Sequence, residues 1–210
     1  MPPQDDGYLL VSLGFNFTYF ENIYKEVSIS SNGYVCLGKN SNCSAISRPS
    51  PHDILVGLNY DLNTERKGSG QIYYQQLSSN GEDFKSAKEY VNRLNPMTLT
   101  LPTNVFMITY DDVLPYDTSS LSLTKFQLFL LTETIKSYII FKFISCPAGI
   151  SANSLSGLNH KKNEGNLQEI IINDGQQCTS TNVNQTGIWV SEVTNSLFGI
   201  YDFSLNTQAS

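Results

Sequence analysis

The residues of this chain that could do chemistry are few, and most of them are carboxylates or thiols. Asp53, Asp61 and Asp111 are the acids a hydrolase could draw on, because glycoside-type hydrolysis needs two carboxyl groups flanking one bond. Asp111 and Asp112 are adjacent, and neighbours on a strand point to opposite faces, so that pair does not converge on one substrate. The pair reads as a turn or strand end whose carboxylates accept backbone N–H bonds. His52 stands beside Asp53, and His160 beside Lys161-Lys162. No Gly-x-Ser-x-Gly elbow frames a serine that either histidine could activate. Both histidines read as solvated loop residues. The alternation Asn59-x-Asp61-x-Asn63, with Asp53 upstream, gathers oxygen ligands near a strand end. Calcium takes about six to eight oxygens, and this segment lacks the glycine and closing glutamate of an EF-hand loop. Asn59, Asp61 and Asn63 are therefore the candidate calcium ligands, set against the plainer reading that Asp61 caps a turn. No other cofactor is expected.

The four cysteines are Cys36, Cys43, Cys146 and Cys178. None forms a Cys-x-x-Cys pair, and two histidines are too few to support a structural zinc site. An even number flanking loop-like sequence favours disulfides. Of the possible pairings, Cys36–Cys43 and Cys146–Cys178 are preferred because each closes a local loop. The longer loop would contribute about 3–4 kcal/mol through chain entropy. The opposing reading is four buried thiols in a reducing compartment. Three sequons accompany the cysteines: Asn16-Phe17-Thr18, Asn42-Cys43-Ser44 and Asn184-Gln185-Thr186. Together they support a secreted context and make Asn16, Asn42 and Asn184 candidate glycosylation sites. Asn42 sits in a polar loop, whereas Asn16 alternates with Phe15 and Phe17 and points outward from a strand. Twelve tyrosines and one tryptophan could stack on sugars. Tyr73 and Tyr74 point to opposite faces of their strand, and Trp189, between Ile188 and Val190, reads as core.

Composition narrows the classes further. A length of 210 residues suits one all-β domain over residues 1–210, and 40% hydrophobic residues supply a substantial core. Charged residues make up 15%, below the roughly 25% of an average soluble domain, and Ser, Thr and Asn fill the gap. A net charge of −6 and no basic patch argue against nucleic acid and against anionic membrane surfaces. No apolar run reaches spanning length, so no membrane insertion is expected of this stretch. Met1 to Asp6 has neither the basic start nor the apolar core of a secretory signal, so an extracellular chain would be a fragment of something longer.

These residues must be positioned by strands. Phe15, Phe17 and Tyr19 alternate with Asn16 and Thr18, the period of a half-buried strand. Val27 to Gly38 then reads as a hairpin closed by Asn32-Gly33, which accepts positive φ at both central positions. Residues 54–60 and 71–77 read as a second hairpin. Phe84, Ala87, Val91 and Leu94 recur at helical spacing and predict one amphipathic helix over 82–94, ended by Pro96 and packed on a sheet edge or face. Strands follow at 105–110, 126–131 and 138–143, the last two apolar enough to be buried on both faces. Residues 145–166 offer few core candidates, and 167–172, 187–193 and 197–203 close the chain. The sum is an antiparallel β-sandwich, jelly-roll-like, with a single short helix.

Several of these segments also resemble the nidogen-like extracellular domain (NIDO) family. Gly14 to Gly38 is similar to its opening. Ile54 to Leu62, then Gly68-Ser69-Gly70 and Tyr73-Tyr74, resembles its aromatic-x-Asp and Gly-x-Gly signature. Ile108-Thr109-Tyr110-Asp111-Asp112-Val113 with Phe126-Gln127 resembles its Thr-Trp-x-x-Val and Phe-Gln pair, with Tyr110 where Trp is usual. Asn182-Val183 through Gly187-Ile188-Trp189 resembles its closing motif. The matches run in family order over about residues 8–193. The resemblance implies an extracellular module of basement-membrane and adhesion proteins and brings no catalytic residues with it. The expected function is therefore non-enzymatic adhesion or matrix interaction, with an extracellular protein or glycan as partner. The alternative is a carbohydrate-binding module, and the third reading is a β-sandwich hydrolase.

Overall fold

Alternation along the first strands decides the layering. On β1 (Tyr8–Tyr19) Leu9, Val11 and Leu13 face inward, opposite Ile29 and Val27 of β2 (Asn22–Ser30). The same row continues through Val35 and Leu37 of β3 (Tyr34–Leu37) and Leu55 of β4 (Ile54–Val56). The computed structural model describes residues 1–39, 43, 53–58, 60–94, 96–97, 101–116, 123–146, 156–161, 167–172 and 176–194, with the backbone alone at 159, 161 and 167–171. The remaining elements are β5 (Leu62–Asn63), β6 (Gln71–Gln76), α1 (Glu82–Leu94), β7 (Asn104–Pro115), β8 (Thr124–Thr132), β9 (Ser137–Ser145), β10 (Ser156–Lys161), β11 (Leu167–Ile172) and β12 (Ile188–Glu192).

Two antiparallel sheets result. The first runs β1-β2-β3-β4-β10-β11; the second runs β12-β9-β8-β7, with β5 and β6 following one another along the far side of β7. Their facing sides share the main core, which includes Phe17, Tyr19, Phe106, Ile108, Phe141 and Trp189. The other side of the second sheet is covered by α1, whose Phe84, Ala87, Tyr90 and Val91 pack on Met107, Phe129 and Ile140. This explains the nearly continuous apolar runs of β8 and β9, which are buried on both faces. The helix occupies the predicted residues. Among the described residues, no helix is long and apolar enough to cross a membrane.

Several local expectations are corrected. Residues 54–77 do not form a hairpin. β4 pairs with β3 and β10 in one sheet, whereas β6 pairs with β7 in the other. The chain changes sheets at Gly57-Leu58, whose N–H groups both donate to the Gly33 carbonyl. The β2–β3 connection is a three-residue loop, Ser31-Asn32-Gly33, in which Gly33 takes φ 82° and Asn32 stays in the ordinary region. Such a loop places a type I turn before one left-handed residue. A Cβ on Gly33 would lie 2.1 Å from the Leu58 carbonyl oxygen, so both the conformation and the contact require glycine. A further two-residue turn, Phe20-Glu21, joins β1 to β2, with Phe20 at φ 51°. Asp111-Asp112 is neither a regular strand pair nor a strand end. It is a one-residue bulge in β7, with Asp112 at φ 54°. Within the weak stretch 145–166 the structure places β10. The proposed strand over 197–203 lies outside the described residues.

Candidate functional site

The densest cluster of titratable groups lies at one end of the sandwich. His160 continues β10 opposite Asp53, and both point toward the interior. The His160 ring is 1% exposed, so the reading of a solvated loop residue is overturned. Its Nδ1 lies 3.0 Å from Asp53 Oδ1, and its Nε2 lies 3.1 Å from Glu21 Oε2. Asp53 also accepts from the Tyr24 hydroxyl and, at 3.3 Å, from Asn22 Nδ2. Phe20 stacks on the His160 ring with centroids 4.3 Å apart, and Tyr19 meets it edge-on at 5.6 Å. That stacking, with a Phe20 N–H to Val193 carbonyl bond of 2.6 Å, holds Phe20 in its unfavourable left-handed turn conformation. Burial, then the hydrogen bond to Asp53, raises the Tyr24 phenol well above its usual range. The two ring nitrogens thus bridge Asp53 and Glu21 and tie three segments together. No serine or cysteine hydroxyl or thiol is bonded to this histidine in the described contacts. Its position between buried acid and strained turn is that of a structural clamp. His52 lies outside the described residues.

The three acids of the hydrolase reading have three separate sets of partners. Asp53 belongs to the clamp. Asp111 accepts from Lys125 Nζ at 2.5 Å, a contact that raises the lysine, and it does not serve as a backbone cap. Asp61 meets Asp5 and Asp6, their ligand oxygens all lying within 4.8 Å of one another. Burial first, and the neighbouring acids second, push both Asp5 and Asp61 above the usual carboxylate range. Asn32 Nδ2 donates to Asp6 at 2.7 Å. Asn63 is bonded to the backbone that follows it. Its Oδ1 accepts from the backbone N–H groups of Glu65 and Arg66 at 2.8 and 3.1 Å, which is an Asx turn. Asn59 lies outside the described residues. Asp5 and Asp6 were invisible to sequence reasoning because only the fold brings residues so far apart in the chain to Asp61.

All four cysteines are paired, Cys36–Cys43 and Cys146–Cys178, with Cα atoms 6.1 and 6.2 Å apart. Cys43 covers a small apolar cluster of Tyr34, Cys36, Ile54 and Val56 on the outer side of the first sheet. Asn16 is exposed on β1, and Asn184 is exposed in a turn at φ 56°. Asn42 lies outside the described residues. Tyr73 and Tyr74 are 54% and 40% exposed, on opposite faces of β6. Tyr73 shares its row with Thr109, Gln127 and Lys142 on the outer face of the second sheet, beyond the ground covered by α1. Trp189 is fully buried and donates from Nε1 to the Gln177 carbonyl at 3.0 Å.

The residues that carry the family resemblance turn out to hold the fold together. The Tyr110 hydroxyl crosses the core and donates to the Ser30 carbonyl at 2.6 Å. A Cβ on Gly70 would stand 1.8 Å from the Asp111 carbonyl oxygen. Asn182 lies along the outer edge of β12 and exchanges two hydrogen bonds with the Val190 backbone, at 2.7 and 2.9 Å. Comparison with known proteins agrees with these residues. The profile of the nidogen-like domain family matches residues 25–195. Alpha-tectorin of Gallus gallus is 24% identical over 219 aligned residues, covering 91% of this chain and 10% of that protein. The chain thus spans about a tenth of the curated relative it matches. No solved structure matches it. With the family profile extending over most of its length, this chain belongs to the nidogen-like domain family.

Proposed function

We propose that residues 1–210 act as a single non-enzymatic extracellular module that recognises a matrix or cell-surface macromolecule. The observation that carries this reading is the pairing of all four cysteines in two disulfides, because such bonds persist in oxidising compartments and are rare in the cytosol. Membership of the nidogen-like family supports the same compartment. The titratable side chains support a non-catalytic role: Asp53 and His160 are spent on a buried clamp and Asp111 on an ion pair. Recognition then falls to loops, strand edges and exposed side chains. Asn16, Asn42 and Asn184 carry N-linked glycans in this reading.

Secretion from a eukaryotic host, with non-reducing peptide mapping and glycan release, tests it. The expected result is both disulfides formed, at least one sequon occupied, and binding to immobilised extracellular matrix. Free thiols with no glycan would refute the compartment. A glycan partner is the second reading, favoured by the half-exposed Tyr73 ring beside Thr109, Gln127 and Lys142. It requires Tyr73→Ala to abolish retention on a glycan array.

A further inference from the structure

We propose that β6 is a docking edge at which a second copy of this chain pairs antiparallel, joining two molecules into one continuous sheet. The proposal goes beyond the module reading and does not need its partner to be known.

An exposed sheet edge offers unpaired N–H and C=O groups, and proteins normally blunt it. This fold does so at two edges. On β12, the outward Ile188 carbonyl accepts from Thr181 Oγ1 at 2.7 Å, the Ile188 N–H donates to the Gln185 carbonyl at 3.0 Å, and Asn182 takes both groups of Val190. On β1, the register against β2 shifts between Ser12 and Phe17 around Gly14 at φ 76°, which breaks the edge with a bulge.

β6 has no bulge and no side-chain seal, and the one outward group that is covered is the Ile72 carbonyl. Its pairing with β7 is unbroken from Gln71–Asp111 to Gln76–Phe106. The Leu77 N–H donates to the Val105 carbonyl in the same register, so residues 71, 73 and 75 bond inward and Ile72, Tyr74 and Gln76 present their backbone outward. The Ile72 carbonyl accepts from the Met1 amino group at 2.7 Å. Among the described residues, no other chain segment covers the outward groups of Tyr74 and Gln76. The strand, Gln71-Ile72-Tyr73-Tyr74-Gln75-Gln76, has no proline and no charge, although the whole chain carries a net charge of −6.

Three features select a second copy as the occupant. First, antiparallel pairing about a two-fold through Tyr74 sets Tyr74 against its own counterpart and Ile72 against Gln76; the Gln76 N–H then shares the Ile72 carbonyl with the Met1 amino group or displaces it. Second, an uncharged strand meets itself without like-charge repulsion, where most of this acidic surface would repel. Third, the two-fold brings the turn bearing exposed Lys67, before the strand, to the same end as Glu82 and Asp83 of the other copy, after it. Lys67 and Asp83 therefore offer one opposite-charge pair on each side of the uncharged centre, Glu82 being paired already with Lys85 at 2.7 Å and Glu65 of the same turn opposing the attraction. Because the contact is isologous and uses the same β6 edge of both molecules, the pairing closes at two copies.

The test uses sedimentation equilibrium of the disulfide-bonded chain from about micromolar to about millimolar concentration. The expected result is a reversible monomer–dimer equilibrium. Tyr74→Lys and Tyr74→Glu each place like charges opposite one another at the two-fold and should weaken dimerisation about tenfold or more. An equimolar mixture of the two should restore it as a heterodimer. Hydrogen exchange on the unaltered chain supplies the readout if either variant misfolds, because the Tyr74 and Gln76 amides should become protected as concentration rises. A chain that stays monomeric, a dimer unaffected by either substitution, an open-ended polymer, or protection that does not depend on concentration would overturn the proposal.

Discussion

Replacing His160 by phenylalanine removes both ring nitrogens while keeping most of the packing against Phe20 and Tyr19, so it isolates the polar part of the clamp. In the folded chain Asp53 has a side chain 3% exposed and counts His160, Tyr24 and Asn22 among its donors. Leaving a buried hydrogen-bonding group without one of its partners costs about 1–3 kcal/mol. Asp53 retains Tyr24 and Asn22, and Glu21, with its side chain 46% exposed, is open to water. The middle of that range, about 2 kcal/mol, therefore applies to His160→Phe. For a chain of this length each kcal/mol moves Tm by about 2–4 °C, so Tm should fall by about 4–8 °C. Urea unfolding with the disulfides intact measures the change, and Trp189, the only tryptophan and fully buried, reports it by fluorescence. The decisive measurement is the cycle with Asp53→Asn. Once His160 is gone, neutralising Asp53 should cost less than in the unaltered chain by about 1 kcal/mol or more. Additivity within about 0.5 kcal/mol, or a His160→Phe variant as stable as the parent, would refute the clamp.

Other perturbations separate the roles of the remaining groups. Asn182→Ala should cost about 1–3 kcal/mol in urea unfolding, since it leaves the Val190 N–H and carbonyl unsatisfied at a buried edge, and should raise the aggregation rate by light scattering. Opening Cys146–Cys178 with a double serine substitution should destabilise by about 3–4 kcal/mol, the loop-entropy value for a separation of 32 residues; no change in urea midpoint would refute a constraint on the unfolded state. Asp5 and Asp61 are raised in the fold, so their ionised forms are disfavoured there. That penalty is fully present at neutral pH and is relieved as pH falls through the raised values toward the unfolded ones. Asp61→Asn in chelator should therefore raise stability slightly at pH 7, by less than about 1 kcal/mol given its exposure, and lose this advantage toward pH 4. A variant less stable than the parent in chelator would refute the penalty.

The candidate sites were legible to different degrees, for physical reasons. The two disulfides follow from sequence spacing because each closes a local loop. The helix over 82–94 follows from period because one of its faces is apolar. β10 escaped because Ser156-Gly157-Leu158-Asn159-His160-Lys161 holds a single apolar residue, and the burial of His160 is secured by two acids from distant segments. The Phe20-Glu21 turn escaped because phenylalanine is no turn former; stacking on His160 imposes its conformation. Asp61 lies beside Asp5 and Asp6, which no spacing around Asp61 could show because they come from the chain's first residues.

By itself the sequence determined the class of this protein. Alternating and continuous apolar runs settle an all-β sandwich with one helix, since hydrophobic period is a local property of the chain. Ordered motifs settle the nidogen-like family. Tertiary structure alone decided which strand joins which sheet, why Asn182 seals one edge while β6 stays open, and how Glu21, His160 and Asp53 meet. Each of these depends on contacts between residues far apart in the chain, whose energies appear only once a register is chosen. Local preference cannot choose it, because a shift of one residue would send every side chain of a strand to the opposite face.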